Sequence, residues 1–343
     1  MKRLSHLPLV AVLLFAVAFL PSVTVSRSDI LSTPLATISV EPSSVSVLLG
    51  DMLTLNITVA DVSDLAGWEF KLYWLKEKLN GTGVAEGPFL RQIGPTFLTV
   101  VNFTDDYNST HGLTWVVAVL NGPGPGAFGN GTIASISLKA ESVGSTSLWL
   151  SETKLVDSAA NTIPHMDASG IAYITFHDVK VVSVVPSKDI VGKNYTMQVN
   201  VTVANQGNFT ETFNVTAYAN TTIIRSENVT LPASNSTTIT FTWNATGFSY
   251  GNYTLSAYAW PVWGEEDQSD NDFEGGTVLV TIPGDADGDF KVKPQDLNAL
   301  LVAYGSPSNP ESPYNPNADI DDDGLIGSKD LTILLNHYGQ HYP

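Results

Sequence analysis

The feature that most limits how this chain can fold is a duplicated unit in its last sixty residues, 284–343. Two twelve-residue segments, 285–296 and 319–330, match position by position and each places aspartate at positions 1, 3, 5 and 12. These residues are Asp285, Asp287, Asp289 and Asp296 in the first segment, and Asp319, Asp321, Asp323 and Asp330 in the second. Because carboxylates crowded into short loops repel one another, this region needs cations to fold.

The spacing of these oxygens suits calcium. In a loop of the EF-hand type, side chains at positions 1, 3, 5 and 12 and the carbonyl at position 7 surround Ca²⁺, which takes about six to eight oxygen ligands. The position-7 carbonyls belong here to Lys291 and Leu325. The sequence therefore predicts two Ca²⁺ sites. The alternative is that the Asp-Gly clusters are ordinary metal-free turns on an acidic, solvated face.

Each loop is followed by an apolar stripe of helical period. The first stripe is Leu297, Leu300, Leu301 and Tyr304, and the second is Leu331, Leu334, Leu335 and Tyr338. Each stripe ends at a glycine, Gly305 or Gly339, which suits the end of a helix. The pattern predicts two loop-plus-helix units packed face to face. A region of this size without cysteine has little core, so we expect bound metal to stabilise it.

The chain before this region is patterned for β-structure. Residues 37–177 contain alternating segments such as Leu53, Leu55 and Ile57, which are separated by polar residues. Residues 178–283 show the same alternation at higher polarity, and turns rich in Asn, Gly and Pro separate the segments. We predict a mainly β protein: a jelly-roll β-sandwich, an Ig-like β-sandwich and a small α-helical paired EF-hand-like module.

The N-terminus has the pattern of a secretory signal, residues 1–28. Lys2 and Arg3 precede an apolar run from Leu9 to Leu20, which is shorter than the roughly 20 residues of a spanning helix. An uncleaved N-terminal anchor is the alternative. Asn-x-Ser/Thr sequons occur throughout the predicted sandwiches and are possible glycan acceptors, although Asn and Thr are also common on exposed strands. We expect an extracellular or cell-surface protein.

The charge balance excludes one large class of partner. Lys and Arg number 16 against 34 Asp and Glu, which gives a net charge of −18. Nucleic acids require basic surfaces, so they are not expected partners, whereas cations are. With no cysteine in the chain, disulfides cannot stabilise the exported domains.

The order of loop, helix, Pro-rich connector, loop and helix in residues 284–343 resembles a dockerin of the type I kind. The resemblance implies that positions 10 and 11 of the loops contact a partner cohesin domain. These positions are Pro294, Gln295, Ser328 and Lys329. Two residues depart from the family pattern: Phe290 stands at position 6, where glycine is usual, and Lys293 at position 9, where a polar oxygen is usual. We therefore expect the first site to be weaker or more hydrated.

The two predicted sandwiches also carry resemblances. Residues 37–177, with the segments VSDLAGW (62–68) and GTIASI (131–136), resemble a cohesin, which implies a nine-stranded jelly roll that receives a dockerin. Cohesins are also similar to carbohydrate-binding sandwiches. Residues 178–283, with VANQG (203–207) and EDQSDN (266–271), resemble the CARDB family of Ig-like modules from cell-surface proteins associated with adhesion.

These features predict a secreted, non-catalytic adaptor that docks in a calcium-dependent way. The expected partner is a cohesin- or dockerin-bearing protein, including a second copy of this chain bound head to tail. The family association implies a place in a polysaccharide-degrading assembly. A glycoside hydrolase is the weaker hypothesis, because it needs two opposed carboxylates in a cleft and the acidic clusters here have calcium spacing.

A carbohydrate-binding module is the other alternative. The candidate stacking residues in the first sandwich are Trp68, Tyr73, Trp74, Trp115 and Trp149. Trp68 and Trp74 lie on the inward phase of their strand, so we expect them in the core, and Tyr73 lies on the outward phase. The 260–263 stretch is a second candidate. The acidic run 265–272 is either a further Ca²⁺ site or, more simply, a hairpin whose Asp and Asn side chains cap the turn.

Overall fold

The computed structural model describes residues 35–307 and 313–342. The predicted signal sequence, residues 1–28, lies outside the described residues, and so do residues 308–312 of the Pro-rich connector. Within the described ranges, no helix has the length and apolar character needed to cross a membrane.

The alternating segments of the first region form a two-layered sandwich, because each strand buries one face against the opposite sheet. Its core includes the buried side chains of Ile57, Phe70 and Ile136. The strands are β1 (Ala36–Glu41), β2 (Ser44–Leu48), β3 (Met52–Leu75), β4 (Leu79–Glu86), β5 (Thr96–Thr104), β6 (His111–Leu120), β7 (Ala127–Ala140), β8 (Gly144–Asp157), β9 (His165–Ala168) and β10 (Gly170–Thr175), and a helical turn, α1 (Pro88–Arg91), lies between β4 and β5.

The long strand β3 belongs to both layers. Its first half pairs with β1 and β7, and the layer order is β9-β1-β3-β7-β4. Its second half pairs with β6 and β8 in the order β5-β6-β3-β8-β10-β2. The strand turns the corner near Asp61 and Asp64, which have φ values of 54° and 60°. Register shifts at this point let one strand serve two sheets.

The second region forms an Ig-like sandwich of two sheets. One sheet has the order β11-β13-β16 and the other β12-β18-β17-β14-β15. Trp243, Phe241 and Val201 are buried between them. The strands are β11 (Val179–Pro186), β12 (Ile190–Gly192), β13 (Thr196–Asn205), β14 (Glu211–Ala219), β15 (Thr222–Leu231), β16 (Asn235–Asn244), β17 (Gly251–Ala259) and β18 (Asp272–Thr281).

The last region is helical. Helix α2 (Pro294–Ala303) follows the first acidic loop, and α3 (Ser328–His337) follows the second, with a 3-10 turn at Pro316–Ala318 before the second loop. The core contains Leu300 and Leu334 at equivalent positions of the two helices. Val292 and Ile326, at position 8 of each loop, are buried in the same core.

The predicted four-residue stripes are only partly buried. Leu301 and Leu335 are 52% and 53% exposed, and Tyr304 and Tyr338 are also exposed. The stripe prediction was therefore too broad. Each ten-residue helix buries only a narrow strip of its side chains. Residues outside the helices, including Ile282 and Ile320, fill the rest of this small core.

Candidate metal-binding loops and their surroundings

The position-1 aspartate organises each acidic loop through backbone hydrogen bonds. One carboxylate oxygen accepts from the N–H of position 5 and the other accepts from the N–H of position 6, which curls the chain around the carboxylate. In the first loop Asp285 accepts from Asp289 at 3.2 Å and Phe290 at 2.8 Å; in the second loop Asp319 accepts from Asp323 at 3.2 Å and Gly324 at 2.9 Å. The two loops therefore share one conformation as well as one sequence pattern.

The position-12 aspartates close the loops. Asp296 and Asp330 are almost completely buried at the first turn of α2 and α3. In each, Oδ1 accepts from the N–H of position 2, at 2.9 Å from Ala286 and 2.7 Å from Ile320, and Oδ2 accepts from the N–H of position 9. Burial raises the pKa of Asp330, and its backbone hydrogen bonds partly oppose this.

The carboxylates of positions 1, 3 and 5 converge. Oxygens of Asp285, Asp287 and Asp289 all lie within 4.8 Å of one another, and those of Asp319, Asp321 and Asp323 do the same. Two oxygens bound to one Ca²⁺ at about 2.3–2.6 Å lie within about 5 Å of each other, so this spacing suits a shared ion. Within the described part of the chain, Asp321 Oδ1 is buried without a hydrogen-bond partner. Both acidic clusters could thus bind metal.

A lysine ammonium lies against the carboxylates of each loop. Lys293 Nζ contacts Asp289 and lies 3.1 Å from Asp287, whereas Lys329 Nζ lies 2.6 Å from Asp323. The hydrogen bond from the lysine lowers the pKa of Asp289 and of Asp323. A bound cation would therefore compete with an ammonium at both loops. Sequence analysis predicted neither ion pair: it treated Lys293 as a departure from the usual loop pattern and Lys329 as a partner-contact residue.

Positions 4 and 6 of both loops have left-handed backbone conformations. The φ values are 75° at Gly288 and 65° at Phe290, and the equivalent residues Asp322 and Gly324 have 60° and 82°. For a residue with a Cβ this conformation costs about 1–2 kcal/mol, which explains the usual glycine at position 6. Phe290 tolerates it with support from the C-terminal segment, since Tyr342 N–H donates to the Phe290 carbonyl at 2.9 Å and the two rings are 6.0 Å apart.

The residues predicted to contact a partner are exposed. Pro294, Gln295, Ser328 and Lys329 occupy the first turns of α2 and α3, and Lys291 and Leu325 at position 7 are exposed as well. Exposed apolar residues lie farther along the same helices: Leu301 and Val302 on α2, and Leu335 on α3. Each helix thus presents a polar first turn followed by uncovered apolar side chains.

The second acidic loop is joined to the Ig-like sandwich by Lys188, in the turn between β11 and β12. Lys188 is 4% exposed, its Nζ donates to the Asp319 carbonyl at 2.6 Å, and it lies 3.8 Å from Asp322. Burial lowers the pKa of Lys188, and the neighbouring Asp322 opposes this effect. Sequence reasoning missed Lys188, because a single lysine in a turn carries no signal of a partner 131 residues away.

Further contacts join the same two regions, which belong to one compact unit, residues 36–343. Asn317 Oδ1 accepts from the N–H groups of Asp189 and Ile190 at 3.1 and 3.2 Å. Thr281 Oγ1, at the end of β18, donates to Asp285 Oδ2 at 2.5 Å. Both acidic loops are therefore tied to the sandwich.

The aromatic residues of the first sandwich divide into core and surface. Trp68 and Trp74 are buried, as predicted from their phase. The expectation that Tyr73 is exposed was wrong. It is 6% exposed because its ring lies 5.1 Å from that of Trp149 and 5.5 Å from that of Tyr107, which cover it. Trp149 and Tyr107 themselves remain about half exposed.

Comparison with known proteins found a family match in the middle region. Residues 176–261 match the CARDB family model, which confirms the predicted CARDB resemblance over that segment. CARDB is a non-catalytic type of module. No curated protein matches the chain in sequence.

Solved structures similar to the chain include cohesins and a CARDB domain. The non-cellulosomal cohesin of the archaeon Archaeoglobus fulgidus has 13% identity and a TM-score of 0.33 over 41% of this chain and 91% of its own. The type I cohesin–dockerin complex Coh-OlpC-Doc435 of Clostridium thermocellum has 13% identity and a TM-score of 0.34 over 41% and 93%. The CARDB domain of PF1109 from Pyrococcus furiosus, described in complex with di-metal ions, has 26% identity and a TM-score of 0.27 over 31% and 96%.

Proposed function

We propose that this protein is a secreted, non-catalytic adaptor whose residues 284–343 form a calcium-dependent, dockerin-type docking module. The observation that carries the proposal is the pair of matching loops, each of which brings three aspartate carboxylates within 4.8 Å of one another at the base of a helix. Two Ca²⁺ ions, one per loop, would neutralise these carboxylates and fix the helices that follow.

The partner that fits this module is a cohesin-type domain. The first turns of α2 and α3 offer Pro294, Gln295, Ser328 and Lys329 to such a partner. The exposed apolar side chains beyond them would supply the buried centre of the interface. The first sandwich would in turn receive a dockerin, so the chain would link two proteins or join copies of itself head to tail outside the cell.

Sedimentation of the chain lacking residues 1–28, with Ca²⁺ or with EDTA, tests the proposal. The chain is sedimented alone, to detect self-association, and after mixing with cohesin domains. We expect a complex that forms in Ca²⁺ and dissociates in EDTA, and no complex with the double variant Asp285→Asn/Asp319→Asn. The control variant Asp272→Asn makes the same kind of charge change at an exposed site outside the loops. A complex that is indifferent to Ca²⁺ and to the loop substitutions contradicts the proposal.

A second candidate function is carbohydrate binding by the first sandwich. The cluster of Tyr73, Trp149 and Tyr107 favours it, because two half-exposed rings flanking a third offer a surface on which a sugar ring could stack. Affinity electrophoresis in gels containing soluble polysaccharides tests this function. Retardation that is lost in Trp149→Ala but kept in Trp263→Ala, in the other candidate stretch, supports it. Retardation that depends on Trp263 and not on Trp149, or unretarded migration in every gel, contradicts it.

A further inference from the structure

The position-1 carboxylate of each acidic loop accepts a hydrogen bond from a hydroxyl outside the loop. Thr281 Oγ1 donates to Asp285 Oδ2 at 2.5 Å, and Tyr314 Oη donates to Asp319 Oδ2 at 3.0 Å. In both loops Oδ2 is also the oxygen that accepts the N–H of position 6. Two donors on one oxygen hold the carboxylate in a single orientation, and contacts of this kind orient the ligands of metal sites.

The first of these hydroxyls belongs to the Ig-like sandwich. Thr281 is the last residue of β18, its backbone pairs with Gly192 of β12, and its carbonyl accepts from the Lys193 N–H at 2.8 Å. Thr281 is also fully buried. The position of its hydroxyl is therefore set by the sheet and not by the loop that it contacts.

The connection between β18 and the first loop is only three residues long. The Asp285 N–H donates to the Ile282 carbonyl at 3.0 Å, and the Ile282 side chain is buried in the core of the helical region. Gly284 has a φ of 95°, and a Cβ added there would lie 2.9 Å from Leu334 Cα in α3. Only glycine suits such a position, and the tightly packed connection passes the placement of the sheet directly to the loop.

The second hydroxyl comes from a different part of the chain. Tyr314 lies in the helical region, shortly before the 3-10 turn at Pro316–Ala318, and is 47% exposed. The sandwich contacts the second loop through Lys188, but Lys188 Nζ donates to the backbone carbonyl of Asp319 and not to its carboxylate. Among the described residues, Thr281 is therefore the sandwich side chain that reaches a position-1 carboxylate.

We propose that Thr281 is a positioning residue for the first Ca²⁺ site: its hydroxyl orients the Asp285 carboxylate, so the Ig-like sandwich sets the Ca²⁺ affinity of the first loop. Tyr314 has the corresponding role at the second loop, from within the helical region. The inference rests on the proposed Ca²⁺ binding and extends it, because two loops of one sequence pattern then depend on different parts of the chain. By linkage, Ca²⁺ in the first loop stabilises its contact with β18.

Calorimetric titration of the chain lacking residues 1–28 with calcium chloride tests the role of the Thr281 hydroxyl. Thr281→Val replaces the hydroxyl by a methyl group of similar size, and it should weaken the binding of one of the two ions by about 10–100-fold. Thr281→Ser keeps a hydroxyl and should retain most of the affinity. The matched control Thr277→Val makes the same change at an exposed position of β18 and should leave both affinities unchanged.

The amide NMR signals of Gly288 and Gly324 identify the loop that changes, since each glycine belongs to one loop. Thr281→Val should raise the Ca²⁺ concentration that saturates the Gly288 signal, and Tyr314→Phe should do so for the Gly324 signal. A general loss of packing would weaken both loops alike. Thr281→Ala also removes the hydroxyl, so the test remains decisive if Thr281→Val fails to fold.

Two results overturn the inference. One is an unaltered affinity of the first loop in the variants that lack the Thr281 hydroxyl. The other is an equal loss in Thr281→Ser, which would assign the effect to packing. Both results leave the proposed Ca²⁺ binding intact, whereas an unsubstituted protein that binds no Ca²⁺ would refute the proposed function and this inference together.

Discussion

Replacing Lys188 by methionine should detach or destabilise the helical region, although Lys188 lies outside it. The ammonium is buried, donates to the Asp319 carbonyl and lies 3.8 Å from Asp322. Methionine fills a similar volume without the charge. The Asp322 carboxylate would then keep only the hydrogen bonds donated by Gln198 Nε2 at 3.1 Å and Ser187 Oγ at 3.5 Å.

The size of the effect follows from the burial of both partners. Removing one partner of a buried ion pair costs about 3–5 kcal/mol. Because Gln198 still donates to Asp322, we expect a loss near the lower limit, about 3 kcal/mol. In a domain of about 60–100 residues, 1 kcal/mol shifts Tm by about 4–8 °C, so the transition should fall by more than about 10 °C.

Circular dichroism at saturating Ca²⁺ measures this loss, because the ten-residue helices α2 and α3 dominate the helical signal over the single turn α1. The double variant Lys188→Met/Asp322→Asn should recover part of the stability, since it no longer leaves a buried charge unpaired. Asparagine suits this position, where φ is 60°, because it tolerates left-handed backbone. A loss below about 1 kcal/mol in the single variant, or no recovery in the double variant, would refute the reasoning.

Three further predictions concern metal and protonation. EDTA should abolish the helical circular dichroism of residues 284–343 in the full chain, and an unchanged spectrum would contradict metal-dependent folding. Lys293→Gln should tighten Ca²⁺ binding at the first loop by up to about fivefold, since it removes the competing ammonium; calorimetry should find a smaller gain in Lys291→Gln, because the Lys291 charge acts on Asp289 from farther away. In EDTA, native-state stability should fall as pH rises from about 4 to about 6, because folding raises the pKa of Asp178 from 3.8 to about 6 and the folded state then holds the proton more tightly. Asp178→Asn should reduce that fall and stabilise the protein at pH 7.5 by up to about 3 kcal/mol, which urea unfolding at several pH values measures.

The acidic loops could be predicted from sequence because their geometry is local. The side-chain oxygens of each loop come from a twelve-residue segment, and the backbone hydrogen bonds to Asp285 and Asp319 span at most five residues. The strands of both sandwiches were predictable for a similar reason, since period-two alternation marks the face that each strand buries. Neither pattern depends on distant parts of the chain.

Other features were not predictable because they depend on which surfaces meet. The phase of Tyr73 correctly places it on the outer face, but only the structure brings Trp149 and Tyr107 over it. The apolar period after each loop predicts a helix, but it does not say how much of the stripe a small core can cover. Leu301 and Leu335 therefore fit the period and remain exposed.

Sequence alone thus determined the β-sandwich character of the first two regions, the helical character of the last, and the residues that could hold metal in the two loops. Tertiary structure decided which charged groups became buried: Lys188 beneath the second loop and Asp178 between the sandwiches. The physical reason is that ligand spacing and hydrophobic period act over a few residues, whereas burial of a charge depends on contacts between segments far apart in the chain. For Lys188 and Asp319 that separation is 131 residues.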